Sequence, residues 1–322
     1  MHTETIGTKE LVGVYQPGSH HMVGDGFPVR NMIPGAGVDE QLSPFLMLDY
    51  MGPEQVLPGN RQRGVGEHPH RGFETVTIMY HGKVAHRDST GSGGIIGPGD
   101  VQWMTAASGV VHEELHEKEF SRQGGLLEGI QLWVNLPKAF KMTSPRYQTL
   151  VKEYIPVVDL GGGAGQLRVI AGTFRGVSGP AKTFSPVHLY DLRLTAGHQV
   201  DVALPEGFNS SLFVLRGQVV VNGAQHVGEV ELALLGQRGE RVTLEAKQDT
   251  TLLVLSGQPI HEPVARYGPF VMNTRAEIEQ AFADYQRTHF GGWPWPSSEP
   301  VHDREKGRFA RHADGREEII NG

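Results

Sequence analysis

The sequence predicts an all-β protein, and three observations carry that expectation. Short apolar runs alternate residue by residue, 43 glycines and 20 prolines separate them, and the same pattern returns in the second half of the chain. Glycine supplies positive φ and proline pre-sets a turn, so apolar runs of this length between them read as strands joined by tight turns. The repetition lies in strand spacing and turn chemistry and points to two β domains of similar build.

Along the first half the strands are ELVGVY, FLMLDY, ETVTIMYHGKVAHRD, GDVQWMTA and EGIQLWVNL. The last places Ile130, Leu132, Val134 and Leu136 on one face and Gln131, Trp133 and Asn135 on the other, as a strand with one face in a core requires. STGSGG and GPGD between them are turns. NLPKAFKMTSPRYQTL, from Asn135 to Leu150, reads as a linker because two prolines interrupt the pattern. Strands then resume at LRVIAGTF, VHLYDLRLTAG, SLFVLRGQVVVNG, RVTLEA and TTLLVLSG. Thr274 followed by Glu277 forms a capping box, and Ile278, Ala281, Phe282 and Tyr285 fall at helical spacing before Gly291, which predicts one amphipathic helix. Past GGWPWPSSEP the chain turns charged and polar through HDREKGRFARHADGREE, which reads as a solvated tail, the alternative being an arm lying on another surface.

At 322 residues the chain buries enough apolar surface to fold without staples. It has no cysteine, which excludes disulfides, thiolate metal sites and cysteine nucleophiles. The start lacks a basic segment followed by an apolar core, and no stretch approaches the roughly 20 apolar residues of a membrane span, so a soluble cytoplasmic protein is expected. A net charge of −7 gives no electrostatic reason to expect direct binding to nucleic acid or to an anionic membrane.

The residues that carry chemistry are histidines. EHPHRGFETVT places His68 and His70 two residues apart, so an extended backbone aims both rings to one face, and Pro69 pushes the residue before it toward that backbone. ASGVVHEELHE brings His112 and Glu114 at the same spacing. If the chain turns at Ala106 to Gly109 and returns as a strand, the second pair faces the first across a small barrel and gathers three imidazoles and one carboxylate. Neutral imidazole suits iron, copper, nickel and zinc, and one added carboxylate favours a divalent first-row ion with open positions. Among 16 histidines a single HxH carries little weight, and the distant HxE is what strengthens it. His81, His86 and His116 read as surface or core residues, and Arg71 and Phe73 as structural ones.

EHPHRGFETVT, GPGDVQWMTAASGVVHEE, GIQLWVNLP and GPFVMNTRAEI together resemble the pirin family, a branch of the cupin superfamily, and the likeness runs from SPFLMLDY to the terminal helix. The resemblance implies two tandem cupin (double-stranded β-helix) barrels with a C-terminal helix. The N-terminal, metal-binding domain is expected over residues 1–140, and the second over residues 141–322 with the helix and the polar tail. Implied ligands of one divalent metal ion are His68, His70, His112 and Glu114. Iron(II) is the expected ion, with nickel, copper, cobalt, manganese and zinc as alternatives. A generic cupin would take its carboxylate from Glu74; here Glu74 is expected beside the cluster, orienting an imidazole N–H, with Glu113 turned to the opposite face. SPVHLYDLRL carries His188, Tyr190 and Asp191 but no HxH, and no metal is expected there.

The implied reaction is dioxygenolytic opening of the central ring of a flavonol such as quercetin with release of carbon monoxide, so the partners are a flavonol-like small molecule and dioxygen. Glu114 then has a second, catalytic role as base toward the 3-hydroxyl. Phe45, Met47, Trp103 and Met104 are candidates for a flat apolar mouth, with core packing as the competing role. The alternative function is a metal-dependent regulator without enzymatic activity, whose protein partner is a transcription factor or a metabolic enzyme.

Overall fold

Alternating side chains and glycine turns resolve into antiparallel sheets in the computed structural model, which describes residues 7–33, 38–296 and 308–320. The chain divides into two compact units. One consists of Ser19–Asn31, Met47–Lys152 and His261–Gly322, the other of Met1–Gly18, Met32–Leu46 and Glu153–Ile260.

Two sheets lie mostly within the first of these units. In the seven-stranded sheet the order is Arg146–Leu150, Val101–Thr105, Phe73–His81, Gly125–Asn135, Phe45–Val56, Phe27–Ile33 and His20–Val23. In the six-stranded sheet it is Glu317–Ile320, Arg308–Arg311, Gly93–Ile96, Val84–Asp88, Val110–His116 and Gly64–His70. The turn expected at Ala106 to Gly109 is present, closed by Gly109 N–H donating to Ala106 O at 2.9 Å. It carries the chain from one sheet to the other, because Val101–Thr105 and Val110–His116 belong to different sheets. Ile130, Leu132, Val134 and Leu136 are fully buried together with Val76, Ile78 and Trp103 on the same face.

The other unit pairs Leu11–Tyr15, Glu231–Leu235, Asn209–Arg216, Thr250–Gly257, Val187–Leu194, Gly165–Ala171 and Val157–Asp159 in one sheet, with a four-stranded sheet from Gln199–Ala203 to Gln225–Val227. Its interior is filled by apolar side chains, among them Leu167, Val169, Leu192, Val214, Val219, Leu244 and Val254. His188 and Tyr190 bond each other there, Tyr190 Oη donates on to Thr173 O at 2.7 Å, and Asp191 pairs with Arg168 at 2.9 Å.

Three expectations about the chain's course are corrected. The segment expected as a linker supplies a strand, Arg146–Leu150, paired with Val101–Thr105. Its Lys141 is buried, with Nζ donating to Gly72 O, Asn135 Oδ1 and Val271 O at 2.7, 2.7 and 3.0 Å, so the cut expected between residues 140 and 141 falls inside one unit. The terminal helix, Arg275–Thr288, has the expected Thr274–Glu277 capping box and lies in the same compact unit as His68 and His70. Ile278 and Ala281 pack with Phe270 and Met272, and Asp284 receives Arg71 Nη1 at 2.9 Å while the Arg71 guanidinium lies over the Phe290 ring. Where the tail is described it is not solvated chain. Arg308–Arg311 pairs with Gly93–Ile96, Phe309 packs on Ala85 and Ile95, and Arg308 forms an ion pair with the buried Asp100. The stretch 297–307 lies outside the described residues. In the sequence HDREKGRFARHADGREE Phe309 is the single large apolar residue, and the strand Arg308–Arg311 joins an open edge through backbone hydrogen bonds that leave no periodic signal.

Docking of this arm is tested by Phe309→Ala, which should lower the unfolding free energy of the protein by about 3–5 kcal/mol in urea titration. A change of less than about 0.5 kcal/mol would mean that the arm is not held in this way.

Candidate metal centre

Antiparallel pairing of Gly64–His70 with Val110–His116 sets His68 directly opposite His112 and His70 opposite Val110. Opposite residues share a face, so the two HxH rings and His112 converge. Ring centroids are 4.3 Å apart for His68 and His112, and 4.8 Å for each of the other two pairs. The two same-face pairs therefore lie side by side in one sheet, and the expectation that they face each other across the barrel is corrected. A register shift between His112 and Glu114 re-aims the carboxylate, which sits opposite His86 on the neighbouring strand Val84–Asp88. His68, His70 and His112 offer nitrogen atoms all within 4.8 Å of one another, and so do the ligand atoms of His86, His112 and Glu114.

The environment prepares these rings to be neutral donors. His68 Nδ1 donates to Gly66 O at 2.7 Å and His70 Nδ1 to Pro269 O at 3.3 Å, an assignment that leaves Nε2 of each ring as the lone-pair atom. His112 is completely buried, and among the described residues its Nε2 has no hydrogen-bond partner. Burial lowers the pKa of His68, and holds those of His70 and His112 well below the usual imidazole value, reinforced by the neighbouring rings. A buried, unpaired nitrogen among neutral imidazoles is costly to leave empty and is the donor chemistry that a first-row cation requires. The donor set thus fits a divalent metal ion.

Glu114 links the two sheets. Thr77 Oγ1 donates to its Oε1 at 3.2 Å and Gln131 Nε2 to its Oε2 at 2.7 Å, both from the facing sheet. With Thr77, Gln131 and Asp49 it forms the polar part of a cavity whose other walls are Val23, Phe27, Val29, Met51, Val65 and Val84. The cavity is small, about 20 Å³, room for about one water molecule. Asp49 is buried, its carboxyl raised by desolvation against the hydrogen bond from Asn31 at 2.6 Å.

Comparison with known proteins follows this geometry. The family model described as Pirin matches residues 26–134, and that described as Pirin C-terminal cupin domain matches residues 189–291. The chain belongs to the pirin family. A Pseudomonas aeruginosa protein named "Putative quercetin 2,3-dioxygenase" is 52% identical over 282 residues, 88% of this chain and 98% of the relative. A "Pirin-like protein" of Caulobacter vibrioides is 41% identical over 269 residues, 83% of this chain and 94% of that one. A crystal structure of quercetin 2,3-dioxygenase from Acinetobacter baumannii superposes with a TM-score of 0.86 at 49% identity, covering 89% of this chain and 99% of its own. A bacterial pirin from Escherichia coli, solved in complex with nickel(II), shares the fold with a TM-score of 0.58 at 20% identity, over 77% of this chain and 100% of its own.

Against the pirin pattern read from sequence, several residues are placed differently. Glu74 does not orient an imidazole; carbonyl oxygens of Gly66 and Pro269 do that, while Glu74 Oε1 accepts from Thr105 Oγ1 at 2.6 Å. Burial pushes its carboxyl up to about 7, partly opposed by Thr105. Glu113 does turn away, into a buried ion pair with Arg87. Trp103 lies on the sheet face opposite to Met104, and Phe45 belongs to the other unit, so neither joins the cavity wall. Met104 packs with Val110 and Tyr147, and Met47 is half-buried. His81 stands 3.7 Å from Glu128, and His116 bonds Gly26 O at 2.8 Å. His86, expected as surface or core, is core, and it touches His112.

Sequence reasoning missed Thr77, Gln131 and Trp133, whose ring lies 5.3 Å from that of His70. The signal was present in EGIQLWVNL. The face assigned away from the core carries glutamine, tryptophan and asparagine, none of them charged, which suits an enclosed polar interior better than open water.

Since metal competes with protons only for imidazoles that titrate, depressed pKa values make Ni²⁺ affinity flat from about pH 8 to about pH 6.5, the ordinary imidazole value, with loss only below it. Competition titration across this range checks the sign. Affinity that already falls steeply between about pH 7.5 and 6.5 would show ordinary, solvated imidazoles.

Proposed function

We propose that the chain is a metal-dependent dioxygenase that opens the central ring of flavonols such as quercetin, with His68, His70, His112 and Glu114 holding one divalent ion, iron(II) first. The observation that carries the reading is a carboxylate shared between two settings: Glu114 has a ligand atom within 4.8 Å of those of His86 and His112, the latter also one of the His68–His70–His112 trio, and it lines a small apolar-walled cavity. Relatives named for quercetin 2,3-dioxygenase support the choice of reaction.

A bound ion supplies Lewis acidity toward a substrate hydroxyl and coordination positions not filled by protein. The chain's residues do the rest. Val23, Phe27, Val29, Met51, Val65 and Val84 surround the carboxylate with apolar side chains, which would have to move apart to admit the aromatic rings of a flavonol. Thr77 and Gln131 each donate one hydrogen bond to Glu114, which fixes its plane and leaves a lone pair on each oxygen. Glu114 uses such a lone pair to take the proton of the flavonol 3-hydroxyl, raising electron density in the ring that meets dioxygen.

Protein loaded with Fe²⁺ or Ni²⁺ under air should bleach the flavonol absorption band and release carbon monoxide, and His70→Ala should abolish both. Glu114→Gln, which keeps the size and one acceptor oxygen, should slow bleaching by about 10²–10⁴-fold, the usual weight of a general base. If wild-type protein binds the ion tightly yet leaves the band intact, the enzymatic reading fails. Metal-dependent capture of a transcription factor or metabolic enzyme then becomes the experiment to run.

A further inference from the structure

His86 approaches His112 from the side away from the other two rings and has no part in the reading above. It is wholly buried on the strand Val84–Asp88, and its Nδ1 lies 3.4 Å from His112 Nδ1. Stacking on Tyr147, with centroids 5.1 Å apart and planes 8° from parallel, fixes the plane of its ring. On the far side its Nε2 lies 3.5 Å from Asp88 Oδ2, close enough for an electrostatic contact but without hydrogen-bond geometry. Asp88 is itself held: Oδ1 accepts from Thr90 N at 2.8 Å, Thr90 Oγ1 at 2.6 Å and Ser92 N at 3.1 Å, which leaves Oδ2 to face His86.

Two ring nitrogens that face each other share one proton. For His112 to offer its Nε2 lone pair to a cation, its ring proton sits on Nδ1 and His86 Nδ1 accepts it. The proton of His86 is then on Nε2, where only an acceptor can stand, and an ionised carboxylate is acceptor only. The reverse arrangement puts a proton on His112 Nε2 and closes that atom to metal. We propose that Asp88 and His86 form a positioning relay that fixes His112 as its Nδ1–H tautomer and keeps Nε2 open to the ion. The proposal rests on the metal site proposed above and adds two residues to it. The His86–His112 spacing is at the long limit of hydrogen bonding and Asp88 acts on His86 Nε2 through its charge at 3.5 Å, so the relay acts by selecting a tautomer, with little bond strength of its own.

Three variants of the full chain test this. Asp88→Asn keeps an oxygen for the Thr90 and Ser92 donors and so turns its amide N–H toward His86, inverting the selection. His86→Phe keeps a ring against Tyr147 but removes the acceptor, and His86→Gln returns one. In metal-free protein labelled with ¹⁵N-histidine, long-range proton–nitrogen correlation should show His112 protonated at Nδ1, moving to Nε2 in Asp88→Asn. Co²⁺ affinity, measured by competition, should fall about 10–100-fold in Asp88→Asn and His86→Phe and recover in part in His86→Gln, as removal of a partner behind a ligand does. The relay is overturned if wild-type His112 carries its proton on Nε2, or if folded Asp88→Asn, with an unchanged circular dichroism spectrum, binds Co²⁺ within about twofold of wild type. Failure of the wild-type protein to bind Co²⁺ would instead remove the metal site itself, and the nitrogen spectrum would still decide the tautomer.

Discussion

The pairing of Gly64–His70 with Val110–His116 is the constraint on which the site depends. Its register places His68 opposite His112, and because strand side chains alternate with period two, a slip of one residue between the strands would put His112 on the face opposite to His68 and His70. The register is protected where it changes. Gly64 pairs with Leu115 just past the irregularity, at φ 154°, and a Cβ there would lie 2.2 Å from Glu114 O and 2.6 Å from Leu115 Cα. Any side chain at Gly64 would push the two strands apart at the point where the chain re-aims Glu114.

Around that pairing the interior is polar by arrangement. Buried carboxylate and imidazole groups are unfavourable unless each finds a partner, and here the partners come from several strands: Thr77 and Gln131 for Glu114, Gly66 O for His68, Pro269 O for His70. His112 Nε2, at the centre of the cluster, is among the buried nitrogens left without such a partner. The interior of the other barrel shows what the same architecture looks like without this demand, since it is filled by leucine and valine. The family relationship and the cupin fold cover both units, while the cluster of candidate metal ligands lies in one of them.

The terminal segments serve that same unit. Arg71, next to His70, donates to Ser108 O and pairs with Asp284 of the terminal helix, which ties the HxH strand end to both the turn before His112 and the helix. The carbonyl that holds His70 belongs to Pro269, in the segment just ahead of that helix. Trp295 donates to Asp88 O at 2.9 Å, so a residue far along the chain also touches the strand of His86. Among the described residues no helix is long and apolar enough to cross a membrane.

What the sequence determined by itself is whatever depends on neighbours along the chain. Strand alternation, the His68–His70 and His112–Glu114 spacings, the Ala106 to Gly109 turn and the Thr274–Glu277 capping box are set by backbone geometry over a few residues, and each was legible. Tertiary structure alone decided which strands lie side by side: that the two pairs are adjacent and not facing, that Glu114 meets Thr77 and Gln131, that Glu74 meets Thr105, and that His86 backs His112. It also decided that the helix and the arm ending at residue 320 return to the first barrel. Those outcomes come from pairing and burial between segments remote in sequence, where backbone hydrogen bonds and the desolvation of polar groups act without leaving a periodic trace in the order of residues.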